Sequence, residues 1–290
     1  MPKRVLIFGS SGMAGHVLTL YMREVSNSIV FDVGPRKKPF SDSILCDLES
    51  LEEIKKLIDS IKPDIIVNCT GVLVKASEQN KREAVWFNAF LPRCLSDLCA
   101  GNRIRLIHLS TDCVFSGKSG PYSEDSYRDG DAFYDRSKAL GEVVDGDDLT
   151  IRTSIIGPEL KSSGSGLLDW VMRQHVDING YRRALWSGVT TLELARYVHF
   201  LITNKNHLSG LIHYAVPRGI SKYELLLSIN KIFDRKLNVR PVDEPVLDKR
   251  LLNTRADIGM EPAGYDKQLY ELKNWIDVHY SMYPHYQEQS

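Results

Sequence analysis

The chain has 290 residues, of which 43% are hydrophobic and 26% are charged, proportions typical of a globular protein with a sizeable core. Lys plus Arg and Asp plus Glu each number 37, so the formal net charge is zero and a nucleic-acid partner is not expected. Five cysteines form no CxxC pair, the eight histidines show no metal spacing, and the apolar run at residues 5–8 is too short for a signal or membrane segment. These features predict a cytoplasmic protein with reduced thiols, no metal and no membrane partner.

The first half of the chain alternates short apolar runs with amphipathic stretches. Strands are predicted at residues 4–8, 28–33, 64–69, 104–111 and 149–154. Helices are predicted at residues 13–24, 49–61, 80–100 and 134–144, the third interrupted near Pro92. A regular alternation of this kind implies right-handed crossovers between parallel strands, with helices on both faces of the sheet. We therefore predict an α/β fold with a Rossmann-type, doubly wound parallel sheet.

The alternation breaks after Gly157, where a loop at residues 158–166 begins a stretch of mixed signals. Further elements are predicted as helices at residues 191–202, 221–233 and 266–280 and a strand at residues 210–216. Ser221 followed by Glu224 has the spacing of a capping box at the start of a helix. We predict a dinucleotide-type domain at residues 1–157, to which residues 189–216 and the C-terminal helix return. A smaller substrate-binding lobe is predicted at residues 158–188 and 217–265.

The clearest motif is a glycine loop with the spacing GxxGxxG, formed by Gly9, Gly12 and Gly15 between the first strand and the first helix. The first glycine allows a tight turn, the second allows close approach of a pyrophosphate, and the third allows the helix to pack closely on the strand. The amides at the helix start then face the anion. The loop predicts a dinucleotide site whose contacts come from Gly9, Ser11, Gly12, Met13, Ala14 and Gly15.

The second strand carries Asp32 near its end, about where an acidic residue meets the adenosine ribose. Asp32 alone favours NAD, because a carboxylate repels a 2′-phosphate. Arg36, Lys37 and Lys38 follow within one short loop and could hold that phosphate, although such a loop is also a common solvated surface. We expect NADPH as the cofactor, with NADH also tolerated.

A third set of residues has the chemistry of proton transfer. Tyr134 and Lys138 are four residues apart on a predicted helix, so they lie on one face. An ammonium near a phenol favours the phenolate and is expected to bring the pKa of Tyr134 toward a range useful for acid catalysis. Thr111 ends the fourth strand, where parallel sheets bind ligands, and its hydroxyl could hydrogen-bond a carbonyl. A turn cap is the alternative role for this Ser-Thr-Asp segment.

Several ordered strings identify a family resemblance. They are STDCVFSG at residues 110–117, GPYSE at 120–124, YDRSKALGE at 134–142, IRTS at 151–154 and SKYEL at 221–225. Together they resemble dTDP-4-dehydrorhamnose reductase and its relatives over residues 3–260. The resemblance implies an extended short-chain dehydrogenase fold that reduces a 4-keto-6-deoxy sugar on a nucleoside diphosphate.

The resemblance also implies roles for individual residues. Tyr134 would protonate the carbonyl oxygen, Lys138 would lower the pKa of Tyr134 and hold the nicotinamide ribose, and Thr111 would orient the carbonyl. Further cofactor contacts would come from Asp47 and Leu48 beside the adenine and from Cys69, Thr70 and Gly71 after the third strand. The substrate would be contacted by Thr111, Cys113, Ser154, Ile155, Arg182, Trp186 and Arg250.

Two departures from the family pattern concern the sugar. Cys113 stands where the family usually has Tyr, and Ile155 stands where it often has a Trp of the sugar pocket. A related keto-sugar is therefore considered, such as a UDP-linked N-acetylated 6-deoxy-4-ulose from surface-polysaccharide synthesis. Two other functions stay open: an epimerase or dehydratase of the same fold, and a non-catalytic subunit like the regulatory subunit of methionine adenosyltransferase. A homodimer is also left open.

Overall fold

The computed structural model describes residues 1–34, 38–205 and 207–286. The strands are β1 (Arg4–Phe8), β2 (Ile29–Gly34), β3 (Ile44–Leu45), β4 (Ile65–Asn68), β5 (Arg105–Thr111), β6 (Leu149–Thr153), β7 (Ile155–Ile156), β8 (Ile178–Tyr181), β9 (Ala184–Trp186), β10 (Val189–Thr190), β11 (Gly210–His213), β12 (Ile220–Ser221), β13 (Val239–Val242) and β14 (Leu247–Asp248). The α-helices are α1 (Met13–Val25), α2 (Leu51–Ile61), α3 (Val74–Gln79), α4 (Lys81–Val85), α5 (Leu91–Asn102), α6 (Phe133–Leu140), α7 (Leu167–Met172), α8 (Thr191–Asn204), α9 (Lys222–Ile232) and α10 (Tyr265–Val278).

A seven-stranded sheet has the order β11-β6-β5-β4-β1-β2-β3. Every neighbouring pair of strands in it is parallel. The order reverses at β1, since the chain first builds outward through β2 and β3 and then crosses to β4 on the other side. Parallel sheets of this kind bind ligands at the carboxyl edge beside such a reversal. The predicted α/β fold with a doubly wound parallel sheet is confirmed.

The central strand β1 is buried on both faces. Val5 and Ile7 belong to a core that includes residues of α1 and α8, whereas Leu6 and Phe8 belong to a core that includes residues of α2 and α5. All four side chains are 0% exposed. Burial of each contributes about 1.5–3 kcal/mol, so the strand is held firmly where the chain turns into the glycine loop.

The third helix of the sequence prediction is built differently from the expectation. Instead of breaking near Pro92, the chain runs from α4 through a π-helical turn, Trp86–Phe90, into α5. Pro92 lies in the first turn of α5, directly after the π-helical turn. The wider turn just before it lets the helix continue.

Beyond β6 the chain returns to the large sheet and also leaves it. β11 pairs with β6 at the sheet edge and α8 packs on α1, while β8, β9, β12, β13 and β14 form small separate sheets. Helix α9 begins with the predicted capping box: Ser221 Oγ accepts from the Glu224 amide at 3.1 Å, and Glu224 Oε2 accepts from the Ser221 amide at 2.9 Å. That local prediction is confirmed, and the domain boundaries stay a prediction.

None of the helices within residues 1–34, 38–205 and 207–286 has the length and apolar character needed to cross a membrane.

Candidate active site

The glycine loop connects β1 to α1 with no room for side chains at two of its glycines. Gly9 has a φ of +84°, and a Cβ there would lie 2.9 Å from the carbonyl carbon of Cys69. A Cβ on Gly15 would lie 2.2 Å from the carbonyl oxygen of Gly9. The chain therefore turns tightly and α1 packs directly on the turn, the arrangement that brings the amides of a helix start to a phosphate group.

Several residues of the loop are accessible from the carboxyl edge of the sheet. Ser11, Met13 and Ala14 are partly exposed and Gly12 is exposed, whereas Ser10 is buried. The amides of Gly9 and Ser10 donate to the carbonyl oxygen of Val33 at 3.0 and 3.2 Å, which ties the loop to β2. Ser11, Gly12, Met13 and Ala14 therefore lie on the accessible side of the loop, whereas Gly15 is buried under it.

Two buried polar atoms beside the loop fit a polar ligand. Ser10 Oγ and Asp32 Oδ2 have no hydrogen-bond partner among the described residues. The other Asp32 oxygen accepts from Arg23 Nη2 at 2.6 Å, and Arg23 also pairs with Asp42 at 3.1 Å. A ribose hydroxyl could satisfy the Asp32 oxygen that lacks a partner, so the residues present fit a dinucleotide. Arg36, the expected partner of a 2′-phosphate, lies outside the described residues.

The expected adenine contacts have different surroundings. Asp47 is exposed, and its Oδ1 accepts from the Glu49 amide at 2.9 Å. Leu48 is 1% exposed and belongs to a hydrophobic core, and its carbonyl oxygen accepts from Trp86 Nε1 at 2.8 Å. The Leu48 side chain faces the core, so Leu48 supports the expected adenine side of the site from within the protein.

The segment after β4 closes the other side of the loop. Cys69 is partly buried, Thr70 is buried and Gly71 is exposed. Thr70 donates to Asn68 Oδ1 through both its amide, at 3.1 Å, and its hydroxyl, at 2.6 Å. The three predicted contact residues therefore lie at the reversal in strand order, next to Gly9.

Thr111 and Tyr134 come together at the end of β5. Both residues are 8% exposed, and the Thr111 hydroxyl lies close enough to the phenol to lower the pKa of Tyr134. Thr111 Oγ1 also accepts from the Cys113 amide at 3.1 Å, so Thr111 caps the short 3-10 turn Asp112–Val114. The capping role considered for this segment and the predicted carbonyl contact are therefore compatible in one side chain.

The pKa of Tyr134 is raised above its usual value of 10.0. Burial is the main cause, and the nearby Cys113 and Asp112 raise the pKa further, while the hydrogen bond from Thr111 lowers it. The sequence predicts the opposite direction, through the ammonium of Lys138. In the structure desolvation dominates, and the result is a phenol that keeps its proton at neutral pH.

Lys138 lies one helical turn beyond Tyr134 on α6 and is 4% exposed. Burial lowers the pKa of its ammonium to about 8, although Glu142 and Cys69 favour the charged form. Its Nζ donates to the carbonyl oxygen of Leu109 at 2.7 Å and lies 3.5 Å from His108 Nε2. The lysine is thus anchored to the same strand that ends in Thr111.

The region beside Thr111 contains part of the predicted substrate set. Cys113, Ser154 and Ile155 are all partly exposed. The Ser154 hydroxyl favours the charged form of Asp112, a buried residue whose carboxylate accepts from the Thr111 hydroxyl at 3.2 Å. Burial raises the pKa of the Cys113 thiol to about 12, so the thiol stays protonated and offers a weak polar contact.

The remaining predicted substrate residues are engaged within the protein. Trp186 is 4% exposed and stacks on Tyr265 at 5.8 Å, while the Lys222 ammonium lies 4.5 Å above its ring. Stacking of a base on Trp186 would require Tyr265 or Lys222 to move, and the substrate contact at this residue stays a prediction. The other two residues, Arg182 and Arg250, are paired with Asp243 and Asp248 at 2.9 Å.

Sequence reasoning missed Lys222, a polar residue that the fold brings to the site. Lys222 and Lys249 come near Asp112 and Cys113, and both lysines favour the charged form of Asp112. Lys249 is far from Asp112 along the chain, so only the fold brings the two together. Asn68 is a further polar residue near the site. The sequence signal that could have pointed to it is its polar side chain in the otherwise apolar strand β4.

Comparison with known proteins identifies a matching family model and similar reductases. A family model described as the RmlD substrate binding domain matches residues 3–250. A dTDP-4-keto-6-deoxy-D-glucose reductase of Streptomyces niveus is 29% identical over 98% of both chains. A probable low-salt glycan biosynthesis reductase of Haloferax volcanii is 29% identical over 161 residues, and the chain spans about half of its length, 52%.

Two further similarities bear on function and fold. The methionine adenosyltransferase 2 subunit beta of Xenopus laevis is 29% identical over 84% of this chain and 77% of its own. Among solved structures, a hypothetical dTDP-4-dehydrorhamnose reductase from Sulfolobus tokodaii is 27% identical, with a TM-score of 0.77 over 89% of this chain and 95% of its own.

Proposed function

Because the chain belongs to the family of the RmlD substrate binding domain, we propose that it is an NAD(P)H-dependent reductase of a 4-keto-6-deoxy sugar linked to a nucleotide. The observation that carries the proposal is the adjacent pair of buried hydroxyl groups of Thr111 and Tyr134, with Lys138 one helical turn away. These residues lie at the carboxyl edge of the sheet that also carries the glycine loop. A proton donor beside a dinucleotide site is the arrangement that carbonyl reduction needs.

The proposed roles follow from the contacts. A nicotinamide cofactor supplies the hydride when it is bound. Tyr134 carries a proton on a buried phenol and donates it to the carbonyl oxygen, while the Thr111 hydroxyl fixes the position of that oxygen. Lys138, one helical turn along α6, is the positive group proposed to stabilise the phenolate left by the transfer.

The cofactor site that we propose combines the glycine loop with the segment after β4. Gly9, Ser11, Gly12, Met13, Ala14 and Gly15 hold the pyrophosphate, and Cys69, Thr70 and Gly71 form the facing wall. Asp32 contacts the adenosine ribose through its oxygen that lacks a partner, and Arg36 favours NADPH over NADH. Asp47 and Leu48 border the adenine.

The substrate residues that we propose are Thr111, Cys113, Ser154 and Ile155. Cys113 and Ile155 replace a Tyr and a Trp of the family pattern, so the sugar is expected to differ from dTDP-4-dehydrorhamnose. A UDP-linked N-acetylated sugar of surface-polysaccharide synthesis is the alternative within the same reaction. The cytoplasmic location and the homodimer stay predictions.

A direct test measures loss of NADPH absorbance with dTDP- and UDP-linked 4-keto-6-deoxy sugars. We expect one sugar to be reduced rapidly by the wild type and slowly by Tyr134→Phe, since the variant keeps the ring and loses the proton. NADPH binding without turnover of any sugar in the panel would contradict the proposal.

The similarity to the methionine adenosyltransferase subunit favours a second candidate, a regulatory subunit. Such a protein would form a stable complex with a catalytic partner and would bind NADP(H) without consuming it. Tyr134→Phe would then leave the function unchanged. A retained cofactor with no net consumption, together with conversion of the nucleotide sugar, would instead indicate an epimerase or dehydratase.

A further inference from the structure

A chain of buried polar side chains runs beneath the carboxyl edge of the sheet, from Thr70 through Asn68 and His108 to Lys138. Asn68 and His108 are 0% exposed. Asn68 Nδ2 lies 3.1 Å from His108 Nδ1, and His108 Nε2 lies 3.5 Å from Lys138 Nζ. Asn68 and His108 have no part in the function proposed above, and a buried polar network of this kind calls for a function.

The amide orientation of Asn68 follows from its contact with Thr70. The backbone N–H of Thr70 can only donate, so the Asn68 atom that it contacts at 3.1 Å must be the oxygen. The amide NH₂ of Asn68 therefore points at His108 Nδ1. An N–H donor there requires Nδ1 to be the acceptor, and the ring proton of a neutral His108 lies on Nε2.

His108 is held in this neutral form by its surroundings. Burial lowers the pKa of the imidazole well below 6.5, and the positive charges of Lys138 and Arg93 lower it further. A neutral ring with its proton on Nε2 presents that N–H to the Lys138 nitrogen. An ammonium has no lone pair to accept it, whereas a neutral amine has one.

Other groups also face Lys138. The carbonyl oxygen of Leu109 accepts from its Nζ, and Glu142 and Cys69 favour the charged form. His108 is thus the neighbour on this side that favours the amine through a directed N–H. The balance between these groups decides how readily the lysine gives up a proton.

We propose that His108 is a positioning residue of this site: fixed as the Nε2–H tautomer by Asn68 and Thr70, it stabilises the deprotonated amine of Lys138. During turnover, which rests on the proposed reductase function, Tyr134 gives its proton to the substrate oxygen. One N–H of the Lys138 ammonium then breaks, its proton re-forms the phenol, and the amine lone pair accepts from His108. Water returns a proton to the lysine before the next cycle.

The tautomer can be measured without any substrate. In protein labelled with ¹⁵N in histidine, we expect the His108 ring to show a protonated Nε2 and a bare Nδ1 across neutral pH. A protonated Nδ1 or an imidazolium in the wild type would overturn the proposal, and this measurement needs no variant to fold.

Asn68→Asp tests the link to Lys138. A carboxylate accepts through both oxygens, so His108 Nδ1 must donate to it and Nε2 becomes an acceptor for the ammonium. With lysine labelled at Cε and assigned through Lys138→Arg, we expect the Lys138 midpoint to rise by about one pH unit or more. A reversed tautomer with an unchanged midpoint would refute the role of His108.

A measurement of keto-sugar reduction against pH separates this inference from the proposed function. If the protein reduces a keto-sugar, the alkaline limb of its pH profile is expected to move upward in Asn68→Asp, together with the Lys138 midpoint. The expected tautomer with no reduction of any sugar would sink the proposed function and leave the coupling between His108 and Lys138 standing. Reduction by Asn68→Asp with an unchanged pH profile would contradict a role in proton transfer for the coupling between His108 and Lys138.

Discussion

Glu142 anchors the strand that ends in the candidate active site, and replacing it should cost much of the stability of the fold. Its carboxylate accepts from Arg152 Nε at 2.6 Å and Nη2 at 2.8 Å, and from the Ser110 hydroxyl at 2.7 Å. Glu142 is 3% exposed and Arg152 is 2% exposed. Ser110 directly precedes Thr111, so the ion pair links β6 to the position of the proposed carbonyl contact.

The expected loss of stability follows from leaving the buried Arg152 cation without a compensating anion. Glu142→Gln keeps the shape and removes the charge, so Arg152 loses its compensating anion in a dry environment. Breaking a buried pair in this way costs about 3–5 kcal/mol. The double variant Glu142→Leu with Arg152→Met removes both charges and should recover much of that loss, because an apolar pair leaves no uncompensated charge.

Urea denaturation of the wild type, Glu142→Gln and the double variant measures the change in the free energy of unfolding. Glu52→Gln is the matched control, since Glu52 pairs with Lys56 at 2.6 Å but both side chains are more than 70% exposed, at 77% and 72%. We expect the control to change the free energy of unfolding little. A loss in Glu142→Gln no larger than in the control would refute this reasoning.

The same carboxylate predicts a pH dependence. The pKa of Glu142 is lowered in the folded protein, against burial, by Arg152, Ser110 and Arg128. A depressed folded pKa means that the stabilisation is fully present above the unfolded value, near 4.5, and is lost as pH falls through the folded value. The stability difference between wild type and Glu142→Gln should therefore shrink in acid.

Three further results are expected. Tyr134→Phe should lower kcat by about 10²–10⁴-fold with NADPH affinity unchanged in a fluorescence titration, and equal turnover would remove Tyr134 as the acid. Gly15→Ala should abolish NADPH binding, because its Cβ would lie 2.2 Å from the Gly9 carbonyl oxygen, whereas Gly101→Ala, with no atom within 4 Å, should bind normally. Lys138 has a folded pKa lowered from 10.5 to about 8, so the unfolded chain holds more protons between these values. The wild type should gain stability relative to Lys138→Met as pH rises through that window, and a constant difference in denaturation would contradict the burial argument.

The sequence by itself determined the features that depend on neighbours along the chain. The apolar runs predict β1, β4 and β5 to within a residue or two, because strands buried on both faces admit few polar side chains. The spacing of Gly9, Gly12 and Gly15 places the tight turn, and Ser221 with Glu224 places the start of α9. Tyr134 and Lys138 share a helix face because their spacing is close to one turn.

Two helix boundaries were less predictable from the sequence. The helix expected to run to residue 144 ends at Leu140, and the one expected to break near Pro92 continues through a π-helical turn. The first helix ends where Gly141 forms its C-cap, a local signal that the apolar pattern did not include.

Only the tertiary structure decided which polar groups meet at the site and what their protonation is. Trp186 has the sequence appearance of a ligand platform, yet its ring is covered by Tyr265 and Lys222. Asn68 and His108 are 40 residues apart, and they meet because β4 and β5 pair in register. The pKa values of Tyr134 and Lys138 move by burial, which sums over every atom around a group, so no spacing along the chain could give their direction.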